Sequence, residues 1–137
     1  MPAYTGIILD EPSRKLLVEK VWVYLEPLLA KGWVLHNNGR PPVVLPHHMT
    51  IVFGKSLPPE QAYLLGTVQP MTVFMWGESD KAAAVAVRSP VQSANAIPHI
   101  TVAVSPTGKP FQSNMIEPDQ WIPLDDEFTL TGTVEEV

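Results

Sequence analysis

The chain has 137 residues, of which 45% are hydrophobic and 17% charged, and its formal net charge is −5. This balance excludes a disordered chain and is typical of a globular protein, and the length predicts one domain spanning residues 1–137. Nine Lys and Arg residues without a basic cluster argue against a long nucleic-acid footprint. A small nucleotide or an RNA terminus stays possible as a partner.

The sequence contains no cysteine, which excludes disulfides, thiol chemistry and cysteine-ligated metals. No apolar run approaches the roughly 18 residues that a membrane span needs. The first 15 residues also lack a basic segment followed by an apolar one, so we expect no secretory signal. Together these features predict a cytoplasmic protein without a membrane partner.

A strand and one long helix are predicted at the start of the chain. Residues 4–10 are typical of the strand, and Asp10 with the acidic and proline residues after it is a helix-start signal. Apolar residues then recur at helical spacing to about Leu29. Pro27 predicts an end or a kink in this helix, because proline removes a backbone hydrogen bond and crowds the preceding turn.

The rest of the chain is predicted to consist mainly of strands separated by turns. A second, short helix is predicted at residues 58–65, and residues 111–126 give no clear assignment. The predicted strands are residues 32–36, 46–54, 68–76, 82–88, 97–105 and 128–134. Many strands with one long and one short helix indicate an α+β fold.

The pattern His-x-Thr occurs twice, each time shortly after a proline and before an apolar run. The first copy is His48-Met49-Thr50, and the second, 51 residues later, is His99-Ile100-Thr101. Because side chains alternate along a strand, the histidine and threonine of each copy are predicted to share one face. Two chance copies are rare at this composition, so the repeat predicts two related lobes that bring the two pairs together.

The other face of each motif strand is predicted to enter the core. The residues predicted to turn to the core are Met49, Ile51, Phe53, Ile100, Val102 and Val104. Ala103 is predicted to stay on the face of His99 and Thr101.

With these motifs the sequence resembles the 2H phosphoesterases of the RNA ligase-like (LigT-like) superfamily. Members of that family carry two His-x-Thr motifs, each on a strand of one of two pseudo-symmetric lobes that line a central cleft. His48-Met49-Thr50 and His99-Ile100-Thr101 match both motifs, and the order of predicted elements matches along most of the chain. The resemblance therefore implies two pseudo-symmetric lobes of antiparallel sheet with one long and one short helix. The gap between the histidines is short for the family, which leaves the subfamily and its substrate open.

Two histidines and two threonines around a small cleft also suit phosphodiester chemistry in their own right. A neutral imidazole can take a proton from an attacking water or ribose 2′-hydroxyl, and a protonated one can give a proton to the leaving oxygen. Thr50 and Thr101 would hold the non-bridging phosphate oxygens. This chemistry needs no metal or other cofactor, and the sequence leaves open which of His48 and His99 is the base.

A zinc site is the competing interpretation, since histidine is also a metal ligand. His47 and His48 are neighbours, and strand alternation would turn them to opposite faces, so that they could not both bind one ion. No carboxylate closely precedes His48 or His99, and we therefore expect no metal. His47 is predicted to be a structural or rim residue, and His36 a polar residue at a strand end.

Several residues outside the motifs are candidates for contacts with a nucleotide. A positive charge near the phosphate could come from Arg40, Lys55 or Lys109, each in a loop adjoining a motif. Tyr4 and Phe111 could stack on a base, although packing in the core explains them equally well. Ser113 and Asn114 are assigned a turn role in preference to a ligand contact.

The main hypothesis from the resemblance and the residues together is a metal-independent phosphodiesterase that hydrolyses a small nucleotide. Its substrate would be a 2′,3′-cyclic phosphate, or a cyclic oligonucleotide such as those cut by phage anti-CBASS enzymes, which resemble this family. The acidic charge favours a small ligand over a folded RNA. The alternative is a module that binds a nucleotide or an RNA end without turnover.

Overall fold

Strands are the main secondary structure of the computed structural model, which describes residues 4–36, 46–54 and 56–137. The strands of this part of the chain are β1 (Tyr4–Leu9), β2 (Val34–Leu35), β3 (His48–Phe53), β4 (Val68–Glu78), β5 (Ala82–Arg88), β6 (His99–Val104) and β7 (Trp121–Glu136). Its helices are α1 (Glu11–Lys20) and α2 (Trp22–Ala30), and short 3-10 segments lie at Pro59–Leu64, Pro110–Met115 and Pro118–Gln120. This sheet-rich fold with few helices agrees with the predicted α+β class.

Six of the strands close into a ring of antiparallel pairs in the order β1, β3, β6, β5, β4, β7 and back to β1. The short strand β2 extends the sheet beside β6, where Val34 pairs with Val104. All six ring strands contribute side chains to the largest buried apolar cluster. The two motif strands, β3 and β6, are neighbours in the ring, and Met49 lies opposite Ile100. The closed sheet therefore places the two motifs side by side.

The predicted long helix is present but is interrupted at Val21, between α1 and α2. It begins as predicted, because the Asp10 side chain accepts a hydrogen bond from the Ser13 backbone N–H at 2.8 Å. A helix end at Pro27, one of the two predicted outcomes, is wrong, since Pro27 lies inside α2, which continues to Ala30. Val23, whose carbonyl would otherwise accept from residue 27, is an exposed residue where water can take that place.

Each motif strand carries an extra residue directly after its threonine. In β3, Thr50 and Val52 pair with consecutive residues of β1, so that Ile51 is the extra one. In β6, Thr101 and Ala103 pair with consecutive residues of β5, so that Val102 is the extra one. An inserted residue shifts the alternation of every side chain that follows it. The two motifs thus share a local backbone feature as well as their sequence.

This shift corrects two predicted orientations. Phe53, which was predicted to turn to the core, is 51% exposed. Ala103, which was predicted to share the face of His99 and Thr101, is fully buried in the main apolar cluster. Both lie beyond the inserted residue of their strand, where simple alternation from the histidine no longer holds.

The remaining elements follow the predicted order with changes in length. The predicted short helix is the 3-10 segment Pro59–Leu64, and the predicted last strand forms the second half of the 16-residue strand β7. The segment without an assignment contains two 3-10 segments and the start of β7. No helix within residues 4–36, 46–54 and 56–137 is long and apolar enough to cross a membrane.

Candidate active site

A cavity of about 260 Å³ opens over the motif-bearing face of β3 and β6. Its walls come from the two motif strands, the start of β1, the residue after β2, the loop before β6 and the 3-10 segment after it. The described residues that line it are Tyr4, His36, His48, Thr50, Phe53, Asn95, His99, Thr101, Pro110, Phe111, Ser113 and Asn114. All four histidine and threonine residues of the two motifs therefore line one cavity.

The side chain of His48 is held from behind by an aromatic ring and a second imidazole. The ring of Tyr4 stacks on it with centroids 4.2 Å apart. Its Nδ1 lies 3.2 Å from Tyr4 Oη and 3.1 Å from Nδ1 of His47. Burial, together with charge repulsion from His47, His36, His99 and Arg14, lowers the pKa of His48 to about 3. His48 is thus a neutral imidazole over a wide pH range.

The position of His47 contradicts the prediction from strand alternation. His47 precedes the first residue of β3, so the alternation that would separate it from His48 does not apply. Its backbone carbonyl accepts from the Leu9 N–H at 2.9 Å, and its buried ring lies at 79° to that of His48. His47 therefore supports the ring of His48 and does not line the cavity.

The tautomer of neutral His99 is fixed by a backbone carbonyl. Its Nδ1 lies 2.7 Å from the Ile97 oxygen, which can only accept, so Nδ1 carries a hydrogen. The other nitrogen, Nε2, lies 3.1 Å from Oγ of Ser113. Burial lowers the pKa of His99, and the Ile97 carbonyl and the Asn114 side chain oppose that shift. The nitrogen of His99 that can exchange a proton is therefore Nε2.

Ser113 links the histidine and the threonine of the second motif. Its Oγ lies 2.8 Å from Oγ1 of Thr101 and donates to the Pro110 carbonyl at 2.8 Å. The hydroxyl has one hydrogen, and a neutral His99 Nε2 and the Pro110 carbonyl would both need it. All three contacts are satisfied together only when His99 is protonated and donates to Ser113, while Thr101 also donates to Ser113. The hydrogen bonds of this buried serine therefore favour the imidazolium form, whereas burial disfavours it.

The structure divides the predicted binding residues into three groups. Tyr4 and Phe111 line the cavity, but Tyr4 is buried and its ring is covered by His48, whereas Phe111 is 54% exposed. Lys109 is exposed and does not line the cavity. Arg40 and Lys55 lie outside the described residues. Of the predicted binding residues that the structure describes, Phe111 is thus the one that is both exposed and part of the cavity lining.

Sequence reasoning missed several residues at this site. Ser113 and Asn114, for which a turn role was preferred to a ligand contact, lie in a 3-10 segment and line the cavity. His36 follows β2 as expected but also lines the cavity, with its ring centroid 6.1 Å from that of His48. Phe53 could have been found only through the inserted residue in β3. Asn95, in the loop before β6, carries no sequence signal.

The described residues do not include three or more His, Cys, Asp or Glu side chains grouped so as to hold a metal ion. The Nδ1 atoms of His47 and His48 do face each other, so the predicted reason against shared ligation was wrong. Comparison of the sequence with models of known protein families finds no match, and neither does comparison with curated proteins.

Proposed function

We propose that this protein is a metal-independent phosphodiesterase of the 2H type that acts on a small nucleotide. The observation that carries the proposal is the joint lining of one cavity by His48, Thr50, His99 and Thr101. Two imidazoles and two hydroxyls around one small space can bind a phosphodiester and move protons on both sides of its phosphorus. Under this proposal the chain has the family's two pseudo-symmetric lobes, and the cavity is part of the cleft between them.

The two histidines take different roles because their surroundings differ. His48 is the general base, since burial and then the neighbouring histidines disfavour its protonated form. Tyr4 Oη and His47 Nδ1, which can each donate or accept, can take a hydrogen bond from its Nδ1. With the hydrogen on Nδ1, its Nε2 is free to take a proton from the attacking hydroxyl or water. His99 is the general acid, since Ser113 accepts from its protonated Nε2. The sequence alone leaves open which of His48 and His99 is the base, and this proposal assigns that role to His48.

The charge of the cavity favours a ligand with one negative charge at the reacting phosphate. No Lys or Arg of the described part of the chain lines it, so a protonated imidazole is the cation that these residues offer. A phosphodiester carries one negative charge, which one imidazolium balances. The substrates that fit are a 2′,3′-cyclic phosphate and a cyclic oligonucleotide, in keeping with the acidic chain and a cytoplasmic location.

A nucleotide-binding module without turnover is the second candidate, and one observation favours it. Burial lowers the pKa of both His48 and His99, so that both are mainly neutral at pH 7 in the free protein. An enzyme needs one of them protonated, and a bound phosphate anion would have to raise that pKa. A module that only binds has no such need.

Incubation with 2′,3′-cyclic mononucleotides and a panel of cyclic di- and trinucleotides in EDTA tests the proposal. We expect one substrate class to be hydrolysed at an unchanged rate in EDTA, with the product identified by its mass. Loss of the activity in EDTA would overturn the metal-free mechanism. Binding of a nucleotide without any product, measured by calorimetry on the same samples, would support the module instead.

A further inference from the structure

The loop between β5 and β6, residues 89–98, brings a further polar residue to the cavity that the two motifs line. The loop is closed at its base, where the Val87 N–H donates to the Pro98 carbonyl at 2.9 Å. Asn95, near the middle of the loop, lines the same cavity as both motifs. The fold therefore carries a residue from outside the motif strands to the motif side chains.

Two hydrogen bonds fix this loop against the first motif strand. Strands β3 and β6 pair at the middle residue of each motif, and their antiparallel direction carries the residues before β6 alongside the end of β3. There Ser93 Oγ donates to the Thr50 carbonyl at 2.8 Å. The Ala94 N–H donates to the carbonyl of Ile51, also at 2.8 Å. Asn95 comes directly after these two contacts, so its position is fixed relative to the first motif.

The side-chain amide of Asn95 makes no hydrogen bond to any residue that the structure describes. Its backbone N–H donates to Ser93 Oγ at 3.1 Å, which leaves the two N–H donors of the amide unused. Asn114 also lines the cavity, but its side chain interacts with His99 and opposes the fall in the pKa of that imidazole. Of these two amides, that of Asn95 is the one left for a ligand.

The two threonine hydroxyls of the motifs differ in what they can offer a phosphate. The Thr50 hydroxyl makes no hydrogen bond to a described residue, so its hydrogen is available to a ligand. The Thr101 hydroxyl has one hydrogen, which it donates to Ser113 Oγ when His99 is protonated. Protonated His99 is the form that acts as the acid. On this side of the cavity the phosphate therefore lacks the donor that Thr101 was expected to supply.

We propose that the Asn95 amide supplies this donor and binds a non-bridging phosphate oxygen on the side of His99, an inference that rests on the proposed function. Asn95 lies on that side, because it and His99 also line the small cavity next to the first. Thr50 binds the other non-bridging oxygen. These oxygens carry the negative charge of the transition state, and a donor fixed in position beforehand stabilises that charge. Asn95 is accordingly a catalytic residue, since it contacts the reacting group.

Phosphorothioate substrates test this contact, because sulfur replaces one non-bridging oxygen at a time and accepts hydrogen bonds poorly. The substrates are 2′,3′-cyclic AMP and cyclic di-AMP, each with its phosphorothioate diastereomers. Asn95→Ala removes the amide, and Asn95→Asp keeps its shape but replaces the donor with an acceptor. Gln92→Ala is the matched control, because Gln92 is an exposed amide of the same loop that does not line the cavity. Thermal unfolding of each variant checks that the fold is kept.

We expect Asn95→Ala to lower kcat for the oxygen substrate about 10²- to 10³-fold, the usual effect of losing one such donor, and Asn95→Asp to lower it at least as much. Gln92→Ala should keep kcat within about twofold of wild type. Sulfur in either position should slow the wild-type protein. In Asn95→Ala that slowing should disappear for one diastereomer and stay for the other.

A kcat of Asn95→Ala within about threefold of wild type overturns this inference and leaves the proposed function standing. The same holds if kcat falls but both diastereomers are slowed as in wild type, because Asn95 would then act only on the shape of the loop. If Asn95→Ala does not fold, Asn95→Asp provides the same two comparisons. If the wild-type protein cleaves neither oxygen substrate, the proposed function fails and this inference with it.

Discussion

The two halves of the cavity use the same motif in different surroundings. On the side of His48, a stacked tyrosine and a second histidine hold the ring, and both neighbours of its Nδ1 can donate or accept a hydrogen. On the side of His99, a carbonyl that can only accept fixes Nδ1, and a serine hydroxyl meets Nε2. Burial lowers the pKa of both imidazoles, but only on the side of His99 do hydrogen bonds oppose that shift.

A serine from outside the strand also joins each motif, but through different atoms. Ser93 Oγ donates to the backbone carbonyl of Thr50 at 2.8 Å, so it holds the backbone of the first motif and not its side chains. Ser113 Oγ lies 2.8 Å from the Thr101 hydroxyl and 3.1 Å from His99, so it contacts the side chains of the second motif themselves. A substitution of Ser93 should therefore act through the backbone, and one of Ser113 through the side chains of His99 and Thr101.

The largest expected effect is the loss of either imidazole. His48→Gln and His99→Gln should each lower kcat about 10²- to 10⁴-fold, because each removes one positioned proton transfer. Single-turnover rates with the best substrate measure the loss, and circular dichroism with thermal unfolding checks the fold. A variant that is folded and keeps the full rate would remove that histidine from the mechanism.

The exposed aromatic rings at the cavity offer a matched comparison of its two sides. Phe53 lies on the first motif strand and Phe111 after the second, and they are 51% and 54% exposed. Phe53→Ala and Phe111→Ala should each raise KM about tenfold with little change in kcat, because stacking of a base contributes about 1–3 kcal/mol.

Tyr63→Ala provides the control for these two variants. Tyr63 is 75% exposed and does not line the cavity, so its loss should leave KM unchanged. If Phe111→Ala raises KM and Phe53→Ala does not, the base binds on one side of the cavity only. If neither does, stacking on these rings plays no part in binding.

The placement of the motif residues was predictable because it depends on local geometry. Side chains two residues apart on a strand share a face, and that rule alone places His48 with Thr50 and His99 with Thr101. The same rule predicts that the apolar residue between the histidine and the threonine of each motif is buried. Met49 and Ile100 are fully buried, as predicted.

The rest of the site depends on contacts between distant parts of the chain. Phe53 lines the cavity because β3 gains a residue relative to β1, and pairing of this kind cannot be read from β3 alone. His47 lies beside His48 because the strand begins one residue after it, and strand ends are set by such pairing. Ser113 reaches His99 because the chain turns back 14 residues later. The closure of six strands into a ring is non-local in the same way.

The low pKa of His48 predicts that the first side of the cavity makes the fold sensitive to acid. Its pKa is about 3 in the folded protein and near 6.5 in the unfolded chain, so below about pH 6.5 the unfolded chain binds more protons. Stability is therefore complete above that pH and falls as the pH decreases towards 3. The loss from His48 alone should reach roughly 1–2 kcal/mol at pH 5.

Urea unfolding of wild type and His48→Gln at pH 7 and pH 5 measures this effect. The variant should lose less of its free energy of unfolding between the two pH values than wild type does. His48→Gln should still lose some of its free energy of unfolding between pH 7 and pH 5, because burial also lowers the pKa of His36 and His99. An identical pH dependence in both proteins would contradict the low pKa of His48.

The smallest expected effect separates the two serines by their pH dependence. If His99 is the acid, kcat/KM falls as the pH rises through its pKa. Ser113→Ala removes the oxygen that accepts from protonated Nε2, so it should lower that pKa and move the alkaline limb to lower pH by about one unit or less.

The acidic limb, which belongs to His48 as the base, should stay in place in Ser113→Ala. Ser93→Ala is the matched control, because Ser93 donates to the backbone carbonyl of Thr50 in the first motif and to neither imidazole. It should change the rate without moving the alkaline limb. A shift of the acidic limb in Ser113→Ala would instead make His99 the base and exchange the two roles, because the limb that moves identifies the step in which His99 takes part.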